Sequence, residues 1–436
     1  MELVKNNYLD GLLPAQTNLP PTPRGWLNRL RADALEVANA STAPTTRDEE
    51  WRFTDLAPLY KTSFKRAAAP APMNASDIEP FVVPEAGCRL TFVDGHFAAH
   101  LSVLGATGGL TVKPLAVAVA DQDPVAQAHL ARYVDFRSEP FVAVNTAWLQ
   151  DGVFVHVERD LAVPAPIHVL CVSTRGEVAS YPRVLLVAER GSDCTLIEDF
   201  VSVQDNAYLV NAVTEIAVAD NARVRHVRLQ RESTSAFHIA TCGVRVARDA
   251  HYAGASVALG ARLSRVSLNV LQAGAGAQCQ IDGLALIAGR QLADTHTLLD
   301  HAQPDGRSRQ MHKCIAGGAA HAVFNGKIFV RKGAQRTDSA QQSRNLLLTE
   351  RAHVDTKPQL EIFADDVKCA HGATVGQLDA EQVFYLKSRG LTETTARELL
   401  TFAFAAEIVE RIPVPSLVQR LEETVVRQTQ TKTSQS

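Results

Sequence analysis

A short punctuation recurs through the middle of this chain: a small or acidic residue, then alanine or an equivalent, then a run of alternating β-prone residues. It reads GSDCTLIED, ADNARVRHV, ARDAHYAGASV, GAGAQCQIDG, GGAAHAVFNG, RKGAQRTDS, TERAHVDT and ADDVKCAHG. Anchored at Asp193, Ala222, Ala250, Ala277, Ala320, Ala334, Ala352 and Val367, the successive gaps are 29, 28, 27, 43, 14, 18 and 15 residues. These cluster near multiples of about 14, the mark of a repeat architecture whose coils bury a face only against their neighbours. Helix signals nearly vanish from about Phe81 to Gly376, where short β-branched runs such as GVFVHVER, APIHVLCVS and RVLLVAERG dominate. A sandwich would bring hairpin turns every ~8–12 residues, whereas Asn-Gly occurs once, at Asn325-Gly326. A mainly β fold, a parallel β-helix over residues 81–376, is the architecture this pattern predicts.

The flanks read differently. Residues 1–80 form a helical region and linker. Trp26, Leu27, Leu30, Ala34 and Val37 give an amphipathic helix over Pro23 to Ala40, Trp51, Phe53 and Leu56 look like anchors, and Ala67 to Pro80 is linker-like in its proline and alanine content. Residues 377–428 return to a period of 3.6. One helix runs from Asp379 to Lys387 and stops at Ser388-Arg389-Gly390. A second follows Thr392 as N-cap, with Ala396, Leu399, Leu400, Ala403 and Phe404 on one side. Pro413 and Pro415 end it, and a third begins after Ser416. The apolar content of LLTFAFAAEIV exceeds one core stripe, so these helices either expose a partner-binding face or cap the solenoid end. Residues 429–436 read as a polar, disordered tail.

Charge narrows the function. With 44 basic against 47 acidic residues the net charge is −3, which gives no electrostatic case for nucleic acid or an anionic membrane. No apolar run reaches the roughly 18 residues of a membrane span, and the first residues lack the basic-then-apolar pattern of a signal peptide, so a cytoplasmic location is expected. Seven cysteines are scattered singly with no CxxC, an odd count that suits reduced, buried thiols better than disulfides. Neither GxxxxGK[ST] nor GxGxxG occurs, so no nucleotide is expected to bind this chain alone.

Six of the fourteen histidines (His296, His301, His312, His321, His353, His371) fall between His296 and His371, together with Cys314 and Cys369. Strand spacing puts His312 with Cys314, and Cys369 with His371, on one face. Such a pair is a nucleophile with its base, half of a metal site, or packed core. A thiolate beside an imidazole suits iron–sulfur species, Zn or Cu(I). A nucleophile would also need a group to orient the imidazole and an oxyanion hole, and the local sequence names neither.

Three segments carry a resemblance: EEWRFTDLAPL, FAFAAEIVERIP and the long block AVFNGKIFVRKGAQRTDSAQQSRNLLLTERAHVDTKPQLEIFADDVKCAHGATVGQLDAEQVFYLKSRGL. From about Glu49 to Pro413 the chain resembles the SufB/SufD family of iron–sulfur cluster assembly proteins. The Cys369-Ala-His-Gly-Ala-Thr run is similar to the SufD branch, where SufB resembles Cys-x-His-Glu-Ala. The resemblance implies an N-terminal helical region, a right-handed parallel β-helix and a C-terminal helical domain. It further implies a non-catalytic scaffold subunit that supports de novo cluster assembly and iron acquisition. Its implied partners are a SufB-like paralogue, met through the β-helix ends, and a SufC-like ABC-type ATPase docked on the C-terminal helices. Without partners a homodimer is implied. His371 then matches an interface position and metal-ligand candidate for a transient iron–sulfur cluster shared with the partner, and Cys369 its neighbour. Leu399, Leu400, Phe402, Phe404 and Ile408 are the expected ATPase-docking residues. The alternatives are a SufB-like cluster-carrying scaffold, a β-helix enzyme acting on polysaccharide, and a standalone Cys–His enzyme.

Overall fold

The computed structural model describes residues 8–13, 25–105 and 108–433. Its centre is a β-solenoid of about eight turns, built from an 11-stranded first sheet and a 10-stranded second sheet. Each coil gives one strand to each sheet. In the first sheet Leu209, Phe237, Leu263, Leu292, His321 and His353 lie in register one above another. The spacing of about 14 residues is therefore half a coil. The corners explain the punctuation. Asn221, Asp249 and Gly276 take left-handed φ values of 57°, 53° and 69°, a conformation that Asn, Asp and Gly accept most readily. The alanines that follow, Ala222, Ala250 and Ala277, are fully buried inside the corner. Corner backbones then bond to the next coil, as in Asn221 N–H to the Arg248 carbonyl at 2.9 Å.

Inward positions of both sheets form the main core, with Leu196, Val224, Val244, Val270, Ile281, Leu299 and Ile328 among its members. Helices cover part of each outer face. Against the first sheet lie helix Gly25–Ala40, the segment from Trp51 to Phe64, and helix Pro140–Ala147. Pro23 and the start of its expected helix lie outside the described residues. The Ala67–Pro80 stretch is a packed strap rather than a free linker. Asn74 N–H bonds Asp77 Oδ2 at 2.7 Å to start a helical turn, and Met73 and Ile78 bury against Val93, Leu101 and Leu170.

The solenoid region is also less uniform than expected. Helices Leu115–Ala120, Pro124–His129 and Pro140–Ala147 interrupt it. Their sequences, LAVAVA among them, are β-prone locally, and tertiary packing overrides that preference. Glu215 anchors this insertion. Its carboxylate accepts from the N–H groups of Ala131, Arg132 and Tyr133 at 2.8, 2.8 and 2.9 Å and from Arg183 at 2.5 Å, with both charged side chains wholly buried. Beside it, a Cβ at Gly243 would sit 1.9 Å from the Tyr133 carbonyl oxygen, so only glycine admits this close approach.

The C-terminal helices are Ala380–Ser388, Glu393–Val409 and Pro415–Thr433. Asp379 and Thr392 cap the first two, accepting from Glu381 N–H at 2.8 Å and Thr395 N–H at 3.1 Å. Gly390, at φ +93°, ends the first. The third runs to Thr433, five residues into the stretch expected to be a disordered tail. Its buried stripe of Leu417, Leu421 and Val425 anchors the preceding turns, and propagation from there adds one hydrogen bond per residue. These helices do not cap an end of the solenoid. Ala405, Ile408, Val409, Ile412 and Leu417 pack on Ile197, Leu229, Leu284 and Ile315 of the outer face of the second sheet. Arg411 to Asp282 at 2.7 Å and an ion pair of Lys313 with Glu407 pin them there.

The two ends of the solenoid differ. At the N-terminal end strands Leu110–Pro114 and His96–Phe97 pair antiparallel and close the sheets. At the C-terminal end His353–Ile362 and Val367–Gly376 are edge strands, and no described residue pairs with their outer edges.

Candidate functional site

The open coil holds the Cys369–His371 pair. Strand Val367–Gly376 runs parallel to Thr337–Leu347, with Cys369 opposite Ser339 and His371 opposite Gln341. Val367 and Cys369 pack against the main core. Alternation continues the same face through His371, Ala373 and Val375, yet His371 is exposed and Val375 is 47% exposed, since no further coil lies above them. Ile362 and Phe363 at the end of the neighbouring edge strand are exposed as well, the latter by 59%. An edge with unpaired backbone groups and apolar side chains is a pairing surface.

Behind this coil the interior turns polar. Ser339, Gln341, Ser343 and Asn345, the inward residues of the preceding strand, are all buried. Two ladders run inward from the pair. One passes through Ser339 to Ser308 at 2.6 Å and to His301 at 3.0 Å. The other passes from Gln341 to Gln310 at 2.8 Å and from Gln310 to Thr297 at 2.8 Å. Asn345 ties the edge strand down through the Thr374 carbonyl at 3.0 Å. Deeper in the solenoid, His226 bonds Glu198 at 2.7 Å and Tyr252 at 3.0 Å beside a small cavity of about 40 Å³, room for a water or two.

Electrostatics separate the pair. Burial, with Asp338 nearby, raises the Cys369 thiol above its ordinary range against one backbone N–H bond from Ser339. It is therefore protonated at neutral pH and no ready nucleophile. No hydrogen bond or ion pair among the described residues orients the His371 ring. A Cys–His catalytic unit thus lacks both a poised thiolate and an orienting group. What remains is one exposed imidazole and one half-buried thiol at an open edge. An imidazole and a thiol are both donors that a metal cluster can use.

Two family models match the chain. Residues 171–404 match the model of the SUF system FeS cluster assembly SufBD core domain, and residues 4–169 that of the SufBD protein N-terminal region. The chain belongs to the SufBD family. It is SufD-like: it is 34% identical to the iron–sulfur cluster assembly protein SufD of Escherichia coli over 87% of each chain. It is 37% identical to the SufBD family protein slr0076 of Synechocystis over 95% of this chain and 93% of that one. Over 92% of this chain and 94% of the other, it is 26% identical to SufD of Bacillus subtilis.

In this SufBD chain the second sequence pair, His312 and Cys314, is sealed in the core. His312 stacks on Phe324, ring centroids 4.7 Å apart at 21°, and burial pushes its imidazole down to about 4. It stays neutral, as packed core. The proposed docking set divides. Leu399 is 46% exposed, Leu400 half-buried, and Phe402 and Phe404 pack partly against the solenoid. Lys313 Nζ sits 4.3 Å from the centre of the Phe404 ring. Ile408 is completely buried, so it cannot face a partner. The helix turned further than the sequence suggested because Ala405, Ile408 and Val409, rather than Leu399 and Ala403, are buried against the solenoid. Sequence reasoning missed the most exposed apolar groups of this domain, Phe384 at 73% and Tyr385 at 56%. Their place on the short helix AEQVFYLKS could have flagged them, as more apolar bulk than nine residues can bury on one stripe. No described helix is long and apolar enough to cross a membrane.

Proposed function

We propose that this chain is a non-catalytic scaffold subunit of a SufBCD-type assembly complex. The open C-terminal end of the solenoid pairs with a SufB-like paralogue, and the C-terminal helices receive a SufC-like ATPase. The nascent cluster is cargo at the shared edge, with His371 as this chain's ligand and Cys369 as a protonated neighbour. Cluster assembly and iron acquisition take place in the cytoplasm on this reading.

The observation that carries the proposal is the unequal treatment of the two ends. Antiparallel strands close one, while the other leaves two edge strands, exposed Phe363 and Val375, and an inward-facing histidine uncovered. Edges of that kind are normally blocked unless another chain adds to them. Helices docked along the side rather than over the end leave this surface free. A chain with two donors at its edge fits a shared cluster better than a SufB-like role of carrying one alone. When the partners are absent the same edge supports a homodimer.

Native purification of the tagged chain from its own cells tests the assembly. Recovery of a larger paralogue together with a P-loop ATPase supports the reading, and a lone monomer or homodimer in the presence of both partners refutes it. His371→Ala tests the site. The complex should form normally and lose cluster yield; an unchanged yield removes His371 from the proposal.

A further inference from the structure

Two histidines that the sequence offered only as part of a histidine-rich region meet on the outer face of the first sheet. His321 opens strand His321–Val330, His353 opens the next, and the register pairs them directly. Their rings stack with centroids 3.9 Å apart at 21°. Asp355, two residues on and therefore on the same face, brings Oδ2 within 2.7 Å of His321 Nε2. One donor atom from each of the three lies within 4.8 Å of the other two.

We propose that His321, His353 and Asp355 bind one divalent first-row transition ion, through two imidazole nitrogens and one carboxylate oxygen with the remaining positions open. Two imidazoles and a carboxylate are a recognised donor set for Zn(II) and for Fe(II), and are poorly suited to the all-oxygen demands of Ca(II) or Mg(II). His321 and Asp355 are half-buried and His353 is exposed, so the protein holds one side and solvent reaches the other. Stacking alone would not select this trio. The same column carries Leu263 and Leu292 in the coils before, and leucine would continue the ladder, with no use for a carboxylate beside it.

The site lies on different residues and a different sheet from the Cys369–His371 edge, so it can be tested apart from the scaffold reading. The full-length chain carrying Cys369→Ser and His371→Ala removes the edge donors. Co(II) is titrated by absorbance, Zn(II) by competition with a chromophoric chelator, and Fe(II) anaerobically. One equivalent of at least one of these ions should bind. His353→Gln and Asp355→Asn, in the same background, should each weaken it by at least about 10–100-fold, since even outer-shell changes cost that much. Circular dichroism should show both variants folded, His353 being exposed. The proposal is overturned if none of the three ions binds with a Kd below about 1 mM, about −4 kcal/mol. It is equally overturned if both variants bind as tightly as the parent. Neither result bears on complex formation, which is measured without added metal.

Discussion

Replacing Glu215 by alanine removes the group that clamps residues 131–133 to the solenoid. Among the described residues it leaves the Arg183 guanidinium wholly buried, with Asn145 Oδ1 at 3.1 Å and Thr146 Oγ1 at 3.2 Å as acceptors. Breaking one side of a buried pair costs about 3–5 kcal/mol. The three backbone donors add little, since Ala131, Arg132 and Tyr133 lie near solvent and can hydrate. A total of about 4 kcal/mol is expected. With an unfolding entropy of roughly 2.1 cal/mol/K per residue, a cooperative unit of some 400 residues gives about 0.8 kcal/mol/K, hence a fall in Tm of about 5 °C. Calorimetry reads the shift, and hydrogen exchange should show faster opening over residues 115–147 than in the distant coils. The double variant Arg183→Met with Glu215→Met should recover more than half of the loss, because no unpaired charge remains buried. A Tm within about 1 °C of the parent, with unchanged exchange in 115–147, would refute the clamp.

Cys369 should be alkylated before the other six cysteines in the native chain, since Cys88 is pushed by burial to about 11 and Cys194 and Cys279 to about 12. Its rate should still climb about tenfold per pH unit between pH 7 and 8.5, because its own thiol is raised above the usual value near 8.5; mass spectrometry of labelled peptides shows the order, and a rate already flat at pH 8 contradicts the assignment. Leu399→Asp and Phe384→Asp should each abolish ATPase capture in pull-downs while changing stability by no more than about 0.5 kcal/mol, as exposed substitutions do. Ile408→Asp, which buries a carboxylate, should instead lower Tm markedly; equal stability of the three variants would show that this helix face is misassigned.

Much of the architecture was legible because the repeat is a local code. A corner needs a residue that tolerates left-handed φ and then a side chain small enough to bury inside the bend, so Asn221-Ala222, Asp249-Ala250 and Gly276-Ala277 announce themselves without any knowledge of neighbours. The caps Asp379, Thr392 and Gly390 are equally local, and the Cys369–His371 alternation follows from strand geometry alone. By itself, then, the sequence determined the solenoid, the helical flanks, the family and one shared face of thiol and imidazole. Tertiary structure decided everything that depends on which surfaces meet. It turned helix Glu393–Val409 to bury Ile408 and laid the helical domain along the side of the solenoid rather than over its end. It threaded helices 115–147 through a β-prone stretch by seating them on Glu215 and Gly243. It also stacked His321 on His353, 32 positions apart, and brought Asp355 beside them, which the repeat spacing alone does not decide. The physical reason is the same in each case: backbone preference acts over a few residues, whereas register and burial are set by the fit of whole coils against one another.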